Sequence, residues 1–374
     1  MKENWWEIKS EIPVDTPFLA VYEDRIRFNL ECLIGSVNGD TQKLRPHIKT
    51  HKIGEILELF KIYNIKKIKC ATIAEAELAA MHEIPDVLLA YQPVGIKKER
   101  WISLIHKYPS VSFSTITDNL ESAKALDDIA KINDLKLPVY LDLNTGMDRT
   151  GYSVSQDWTT LADKITNLKN LHFEGIHIYD GHLKGSVEER INTASNSFSE
   201  IKEKTEAMEQ KLGYKLKIVA GGSNTFPFYA TQENVECSPG TFVFWDSNYQ
   251  IHLPEQKFKP ALVIVGTIIS KPTNATLCID IGYKAVASEN PIEKRLIILN
   301  DENLIPTSHS EEHLILENRG INKYKIGDTV YALPYHVCPT CALYDSVQVI
   351  NKSHQICDQW KVVARSREIN IYKI

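Results

Sequence analysis

The stretch KLRPHIKTHKIGEI, Lys43 to Ile56, carries six Lys, Arg and His side chains in its first ten positions and then turns helical in pattern. Its front half, LRPHIK (Leu44 to Lys49), reads as a short strand. GEILELFKIY, from Gly54 on, reads as the amphipathic helix behind it, with apolar residues at three- and four-residue spacing. A strand that gives way to a helix is the repeating unit of a parallel α/β sheet. The alternation continues to about Gly240 through KIKCATI, DVLLAY, SFSTIT, LPVYLDL, FEGIHIY, KLKIVAG and NVECSPG. Helical patterns such as IAEAELAAMH, NLESAKALDDIAKIN and SVEERINTASNSFSEIKEKTEAMEQKLG lie between many of them. Eight candidate strands in roughly 200 residues predict a closed (β/α)8 TIM-type barrel rather than an open doubly wound sheet.

Beyond about Asn248 the pattern changes to β-branched runs separated by turns: PALVIVGTIIS, ATLCIDIG, RLIILN, HLILEN, TVYALP, SVQVIN and QWKVVARS. No long helical stretch interrupts them, so a C-terminal all-β domain is expected. The expected organisation is an N-terminal segment, 1–20, packing with the β domain; a barrel, 21–247; and the β domain, 248–374. At 374 residues two domains are the natural count. With 43 Lys plus Arg against 48 Asp plus Glu, there is no basic field to hold nucleic acid or an anionic membrane. Small molecules or copies of the same chain are the expected partners. The N-terminus, MKENWWEIKSEIPVDTP, lacks the apolar core of a signal peptide, and no run of 18 apolar residues follows, so a cytoplasmic protein is expected. Of seven cysteines, five are scattered singly and read as reduced packing residues.

In a parallel barrel the reactive residues sit where strands end. Lys49 closes the first strand candidate, beside other cationic groups, where a lysine can lose its proton and form an imine with an aldehyde or ketone. After KLKIVAG comes GGSNTF, in which Gly221, Gly222, Ser223, Asn224 and Thr225 offer backbone and hydroxyl donors to an anion. An imine-forming lysine together with such a loop suggests pyridoxal phosphate, the aldehyde going to Lys49 and the phosphate to the loop. LDLNTGMDRTG brings Asp142, Asn144, Arg149 and Thr150 to another strand end, and IHIYDGH brings Tyr179, Asp180 and His182 to the next. His177, inside its strand, reads as a core residue. In the β domain, YALPYHVCPTCALYD holds His336 and Cys338 two apart, a spacing that puts both on one side of an extended segment and suits two ligands of a divalent metal. Cys341 and Asp345 are potential additions. No second cysteine pair completes a closed four-thiolate site, so a metal here would sit in an open site of the catalytic type.

Together, RPHIKTHK, DTPFLAVYEDRIRFNL, ATIAEAELAAMHEIPDVLLAYQPVG, LDLNTGMDRTGY, GGSNTF, SPGTFVFWD and HVCPT resemble the D-threonine aldolase and D-serine dehydratase family, fold type III pyridoxal phosphate enzymes related to the alanine racemase N-terminal barrel. The resemblance spans nearly the whole chain. It implies Lys49 as the cofactor lysine, the Gly221–Thr225 loop as phosphate cradle, and His336 with Cys338 as ligands of Zn2+ or Mn2+. Arg149 and Tyr179 match positions lining the cofactor, His47 is a further candidate contact, and His182 is a candidate acid or base. It also implies substrates of D configuration bearing a β-hydroxyl, and a homodimer. In that family His-x-Cys is the dehydratase-like pair and His-x-Asp the aldolase-like one, whereas the flank PTCALYD looks aldolase-like. The expected activity is retro-aldol cleavage of D-threonine type, giving glycine and an aldehyde. Alternatives are D-serine or D-threonine dehydratase, an amino-acid racemase using Tyr283, and a noncatalytic pyridoxal phosphate carrier.

Overall fold

The computed structural model describes residues 4–9, 14–321 and 323–370; residues 1–3 and 10–13 of the N-terminal segment lie outside the described residues. The chain forms two compact units. One comprises Leu33–Lys49, Ile56–Gly240 and the residues from Ser366 on; the other comprises the residues up to Cys32, Thr50–Glu55 and Thr241–Arg365.

The first unit is built on parallel strands in the order Lys67–Cys70, Asp86–Leu89, Ser112–Thr117, Leu137–Asn144, Leu171–Ile178, Lys217–Ala220 and Val235–Cys237, each hydrogen-bonded to the next. The eighth position is filled irregularly. Leu44 bridges Cys237 and His47 bridges Lys69, both in parallel sense, so the segment joins the first and last strands. Its hydrogen bonds run from Arg45 N to Cys237 O (2.9 Å), from His47 N to Pro239 O (3.0 Å) and from Lys69 N to Pro46 O (2.9 Å). The expected strand LRPHIK is thus reduced to two bridges, because Pro46 has no N–H to give a ladder. Lys49 accordingly stands in the 3-10 turn Ile48–Thr50 just past the seam.

Local chemistry fixes the helices. The hydroxyl of Thr72 caps Ile73–Met81 by accepting from Glu75 N, and Asn119 caps Leu120–Ile132 by accepting from Ser122 N. Ser186 and Glu189 form a reciprocal capping box on Val187–Leu212, which ends at Gly213 in the left-handed conformation. Inside the sheet, Leu88, Ile116, Tyr140 and Val219 make a buried layer. Gly175 is required by close approach: a Cβ there would lie 1.9 Å from the Lys217 carbonyl oxygen.

The second unit is a nine-stranded, mostly antiparallel sheet. Its longest strand, Leu262–Thr273, pairs with Phe18–Tyr22, with Thr329–Pro334 and with Thr276–Ile279. Phe18–Tyr22 also pairs in parallel with Ser346–Ile350. Ala20, Tyr22, Val263, Val265, Tyr331 and Ile350 form a core against which Trp5 and Trp6 pack. Leu304–His309, absent from the sequence reading, is a strand. Its pairing with Leu314–Asn318 is irregular after Pro306, and the run is apolar in its first half and polar in its second, so no alternation marks it. The expected strand QWKVVARS is displaced toward the N-terminus: the strand is Ile356–Lys361, and Val363–Arg365 is a 3-10 turn.

Candidate active site

The basic residues of the opening stretch do separate work. Arg45 is buried among carboxylates: its Nε donates to Glu236 (2.6 Å) and its two Nη atoms to Asp86 (2.7 and 2.9 Å). Burial opposes its charge, and Glu236 and Asp86 outweigh burial, holding its pKa well above the usual value. Lys43 Nζ donates to the Gln232 carbonyl (3.0 Å). These two groups tie the seam together. His47 and Lys49 instead line a cleft, where the backbone N–H of Lys49 donates to His47 Nδ1 (3.3 Å).

Lys69, Asp142, Arg149, Thr150, His177 and Tyr179 line the same cleft. Three basic groups gather around the Tyr179 ring: Arg149 Cζ is 5.0 Å from its centre, Lys69 Nζ 5.7 Å and Lys49 Nζ 5.8 Å. Asp142 is the carboxylate lining this cleft, and its Oδ1 is 2.7 Å from His177 Nδ1. His177 Nε2 in turn is 3.4 Å from Lys69 Nζ. Burial first, and then the neighbouring Lys49, push Lys69 down to about 7. Burial and Lys69 likewise lower His177. Such an excess of positive groups, in a space where lost hydration is not replaced, favours an anionic ligand.

Gly221, at φ +76°, starts the glycine loop, and a Cβ there would meet Tyr229 Cδ2 at 2.7 Å. At Gly222 a Cβ would meet Tyr179 Cε2 at 3.0 Å, so the loop lies directly against the tyrosine of the cleft. Two side chains of the loop brace it. Asn224 Nδ2 donates to the Gly181 and Leu183 carbonyls (3.4 and 2.8 Å), and Thr225 Oγ1 donates to Asp180 Oδ1 (2.6 Å). Ser223 is buried. Burial raises the Asp180 carboxyl above its usual range. His182 does not line the cleft; its Nε2 lies 3.0 Å from where a Cβ of Gly146 would be, and its Nδ1 has no hydrogen-bond partner. The cations, the tyrosine ring and a loop that only small residues can form are a fitting set for pyridoxal phosphate.

In the second unit His336 is the N-cap of the one-turn helix Val337–Cys341, so the pair is brought together by a helix start rather than by an extended segment. Burial works against charge on His336, but the Cys338 sulfur and then Glu289, 2.5 Å from Nδ1, outweigh it and raise the imidazole to about 9. Cys338 Sγ lies 3.2 Å from Thr50 Oγ1 and 3.7 Å from Thr241 Oγ1. Cys341 and Asp345 do not join the pair: Cys341 donates to the His51 carbonyl, and Asp345 pairs with Arg365. Among the described residues no group of three or more His, Cys, Asp or Glu could hold a metal. A nitrogen and a sulfur donor alone fit an open site completed by water or substrate, and do not fit a closed structural one.

The family model for the N-terminal domain of alanine racemase matches residues 21–248, more than half of the chain. The chain belongs to the alanine racemase N-terminal domain family. A second family model, a serine dehydratase domain, matches residues 261–350. Over nearly their whole lengths, this family member is similar to two curated enzymes. It is 27% identical to the D-serine dehydratase of Dictyostelium discoideum, covering 96% of this chain and 99% of the relative. It is 23% identical to the D-threonine aldolase of an Arthrobacter species, covering 94% and 93%. The crystal structure of D-threonine aldolase from Filomicrobium marinum superposes with a TM-score of 0.85 at 22% identity, covering 94% of this chain and 95% of that one. The barrel and the β domain are therefore those of the alanine racemase fold, as the resemblance implies. Among the described residues no helix is long and apolar enough to cross a membrane.

Two ionisable residues of the cleft escape the sequence reading: Lys69, which it passes over, and His177, which it assigns to the core. The signal was present in KIKC. Strands of a parallel barrel are covered on both faces and read as apolar runs, so a lysine in the middle of one is anomalous.

Proposed function

We propose that this protein is a pyridoxal phosphate-dependent lyase acting on β-hydroxy-D-amino acids, cleaving the Cα–Cβ bond as the D-threonine aldolases it resembles do. The observation that carries the reading is the cluster of Lys49, Lys69 and Arg149 around Tyr179 in a barrel of this family. Lys49 would attach the cofactor, the Gly221–Thr225 loop would receive its phosphate, and His47, Arg149 and Tyr179 would flank its ring. When bound, pyridoxal phosphate supplies an electron sink for the bonds at the substrate Cα. A Zn2+ or Mn2+ ion on His336 and Cys338 would supply Lewis acidity toward a hydroxyl. The chain's own part is positional. Excess positive charge binds the anionic groups of cofactor and substrate, while Lys49, once released, and the Lys69–His177–Asp142 chain are bases available to the reaction. We assign His182, packed on Gly146, a supporting place. The reading includes a cytoplasmic homodimer.

Elimination of water, as in D-serine dehydratase, is a second reading. It is favoured by one feature, the sulfur of Cys338 where the aldolase-like pair carries a carboxylate. Incubating the protein with D-threonine, pyridoxal phosphate and Zn2+ or Mn2+ and resolving the products by mass separates the two. Glycine with acetaldehyde is the expected result, 2-oxobutanoate with ammonia establishes the dehydratase, and consumption of neither D-threonine nor D-serine contradicts the lyase. Plasma mass spectrometry of the purified protein should find a divalent metal that is lost in His336→Ala; equal metal in both would sink the assignment of the pair.

A further inference from the structure

Lys69 stands apart from the cofactor lysine proposed above, and its surroundings are those of an activated amine. It is 1% exposed at mid-strand and lines the same cleft as Lys49. Among the described residues no carboxylate forms an ion pair with it, and its hydrogen-bond partner is His177 Nε2. Asp142 on Nδ1 fixes the hydrogen of His177 at that nitrogen, so Nε2 faces Lys69 as an acceptor. A nucleophile, a base within reach and a third group orienting the base make the constellation that prepares an amine for attack. The charged and titratable groups acting on Lys69 from the surrounding elements are Arg45, Lys49, Asp142, Asp180 and His177, with the Tyr179 ring beside it. Burial and Lys49 prevail over the two carboxylates, leaving an amine of pKa about 7 that is substantially neutral at physiological pH.

We propose that Lys69 is a second carbonyl-capturing amine of this cleft, able to form a covalent linkage with an aldehyde. The inference rests on the proposed function in so far as the cleft must admit an aldehyde. The neutral Nζ adds to the aldehyde carbon; its two hydrogens leave with the carbonyl oxygen as one water, and a C=N bond remains, with no net oxidation. His177 holds the proton that moves between nitrogen and oxygen. Two aldehydes have access in such a lyase, that of the cofactor and the small aliphatic aldehyde released by C–C cleavage.

Reductive trapping tests this without measuring turnover. Lys49→Ala is mixed with pyridoxal phosphate at neutral pH, reduced with borohydride, digested and mapped by mass. Burial, the larger cause of the lowered Lys69 pKa, persists when Lys49 is replaced, so the reduced cofactor is expected on Lys69 at a yield clearly above any surface lysine, whose ammonium is almost wholly protonated at that pH. The label should vanish from the Lys49→Ala/Lys69→Met double variant and fall in Lys49→Ala/His177→Gln. Label spread over surface lysines with none on Lys69 overturns the proposal. Wild-type protein trapped in parallel separates the two levels: label on Lys49 there, with none on Lys69 in the variant, refutes this inference alone, whereas no label on either lysine refutes the functional reading. A second arm needs no substitution. Wild-type holoenzyme exposed to acetaldehyde and reduced should carry an ethyl group on Lys69, and ethylation confined to surface lysines would count against capture of the released aldehyde.

Discussion

Arg45 and Lys69 are buried to the same degree, at 0% and 1% exposure, and both belong to the barrel unit. Around Arg45 two carboxylates stand at 2.6 to 2.9 Å, and the guanidinium is held charged. Among the described residues no carboxylate forms an ion pair with Lys69; an imidazole nitrogen stands at 3.4 Å, and the amine is pushed toward neutrality. Burial penalises both charges alike, so the partner decides the outcome. A cation that keeps its partners closes the seam of a barrel, whereas one deprived of them is available for chemistry.

Breaking the first member of this pair should have the largest effect. Arg45→Met removes the ion-pair partner of Asp86 and leaves Glu236 with Lys67 alone, 2.6 Å from its other oxygen, and urea unfolding should register a loss of about 3–5 kcal/mol. A loss below 1 kcal/mol would mean that the seam does not depend on the ion network.

Lys69→Met should act in the opposite direction. The native amine of Lys69 titrates near 7, against about 10.4 in the unfolded chain, so between those values the unfolded state binds more protons and stability rises with pH. The penalty of burying the amine is complete below pH 7 and fades toward pH 10. Replacement by methionine should therefore stabilise the protein by roughly 1–4 kcal/mol at pH 6, and by clearly less at pH 9. Unfolding curves at the two pH values check the sign, and a destabilisation that is equal at both would show Lys69 to be an ordinary packing residue.

The smallest effect sharpens the contrast. Lys211 and Asp163 pair at 2.6 Å, the same distance as Arg45 and Glu236, but on the surface, at 63% and 37% side-chain exposure. Lys211→Ala should change stability by no more than about 1 kcal/mol, less in high salt. A loss comparable to that of Arg45→Met would show that distance, and not burial, sets the worth of these pairs.

The strand positions of the barrel were legible because the apolar runs are short and most are followed by a helix, four of these helices carrying a side-chain cap. The Pro46 interruption was legible too, had the missing N–H been counted. Leu304–His309 was not, since a strand with its apolar residues in one half and its polar ones in the other, irregularly paired, leaves no period of two. At the site, Lys49 and the glycine loop could be found because position at a strand end and lack of side chains are written in the sequence. The engagement of Asn224 and Thr225 with Gly181, Leu183 and Asp180 depends on contacts between loops some 40 residues apart, which spacing does not encode. The same holds for Lys69 and His177, whose separation of 108 residues collapses to 3.4 Å only once the barrel is closed.

The proposed function requires Lys49 as the attachment point of the cofactor. Wild-type protein saturated with pyridoxal phosphate, reduced with borohydride and mapped by mass should carry the cofactor on Lys49 at close to one per chain. Recovery of an unlabelled Lys49 peptide, with the cofactor elsewhere or absent, would contradict it.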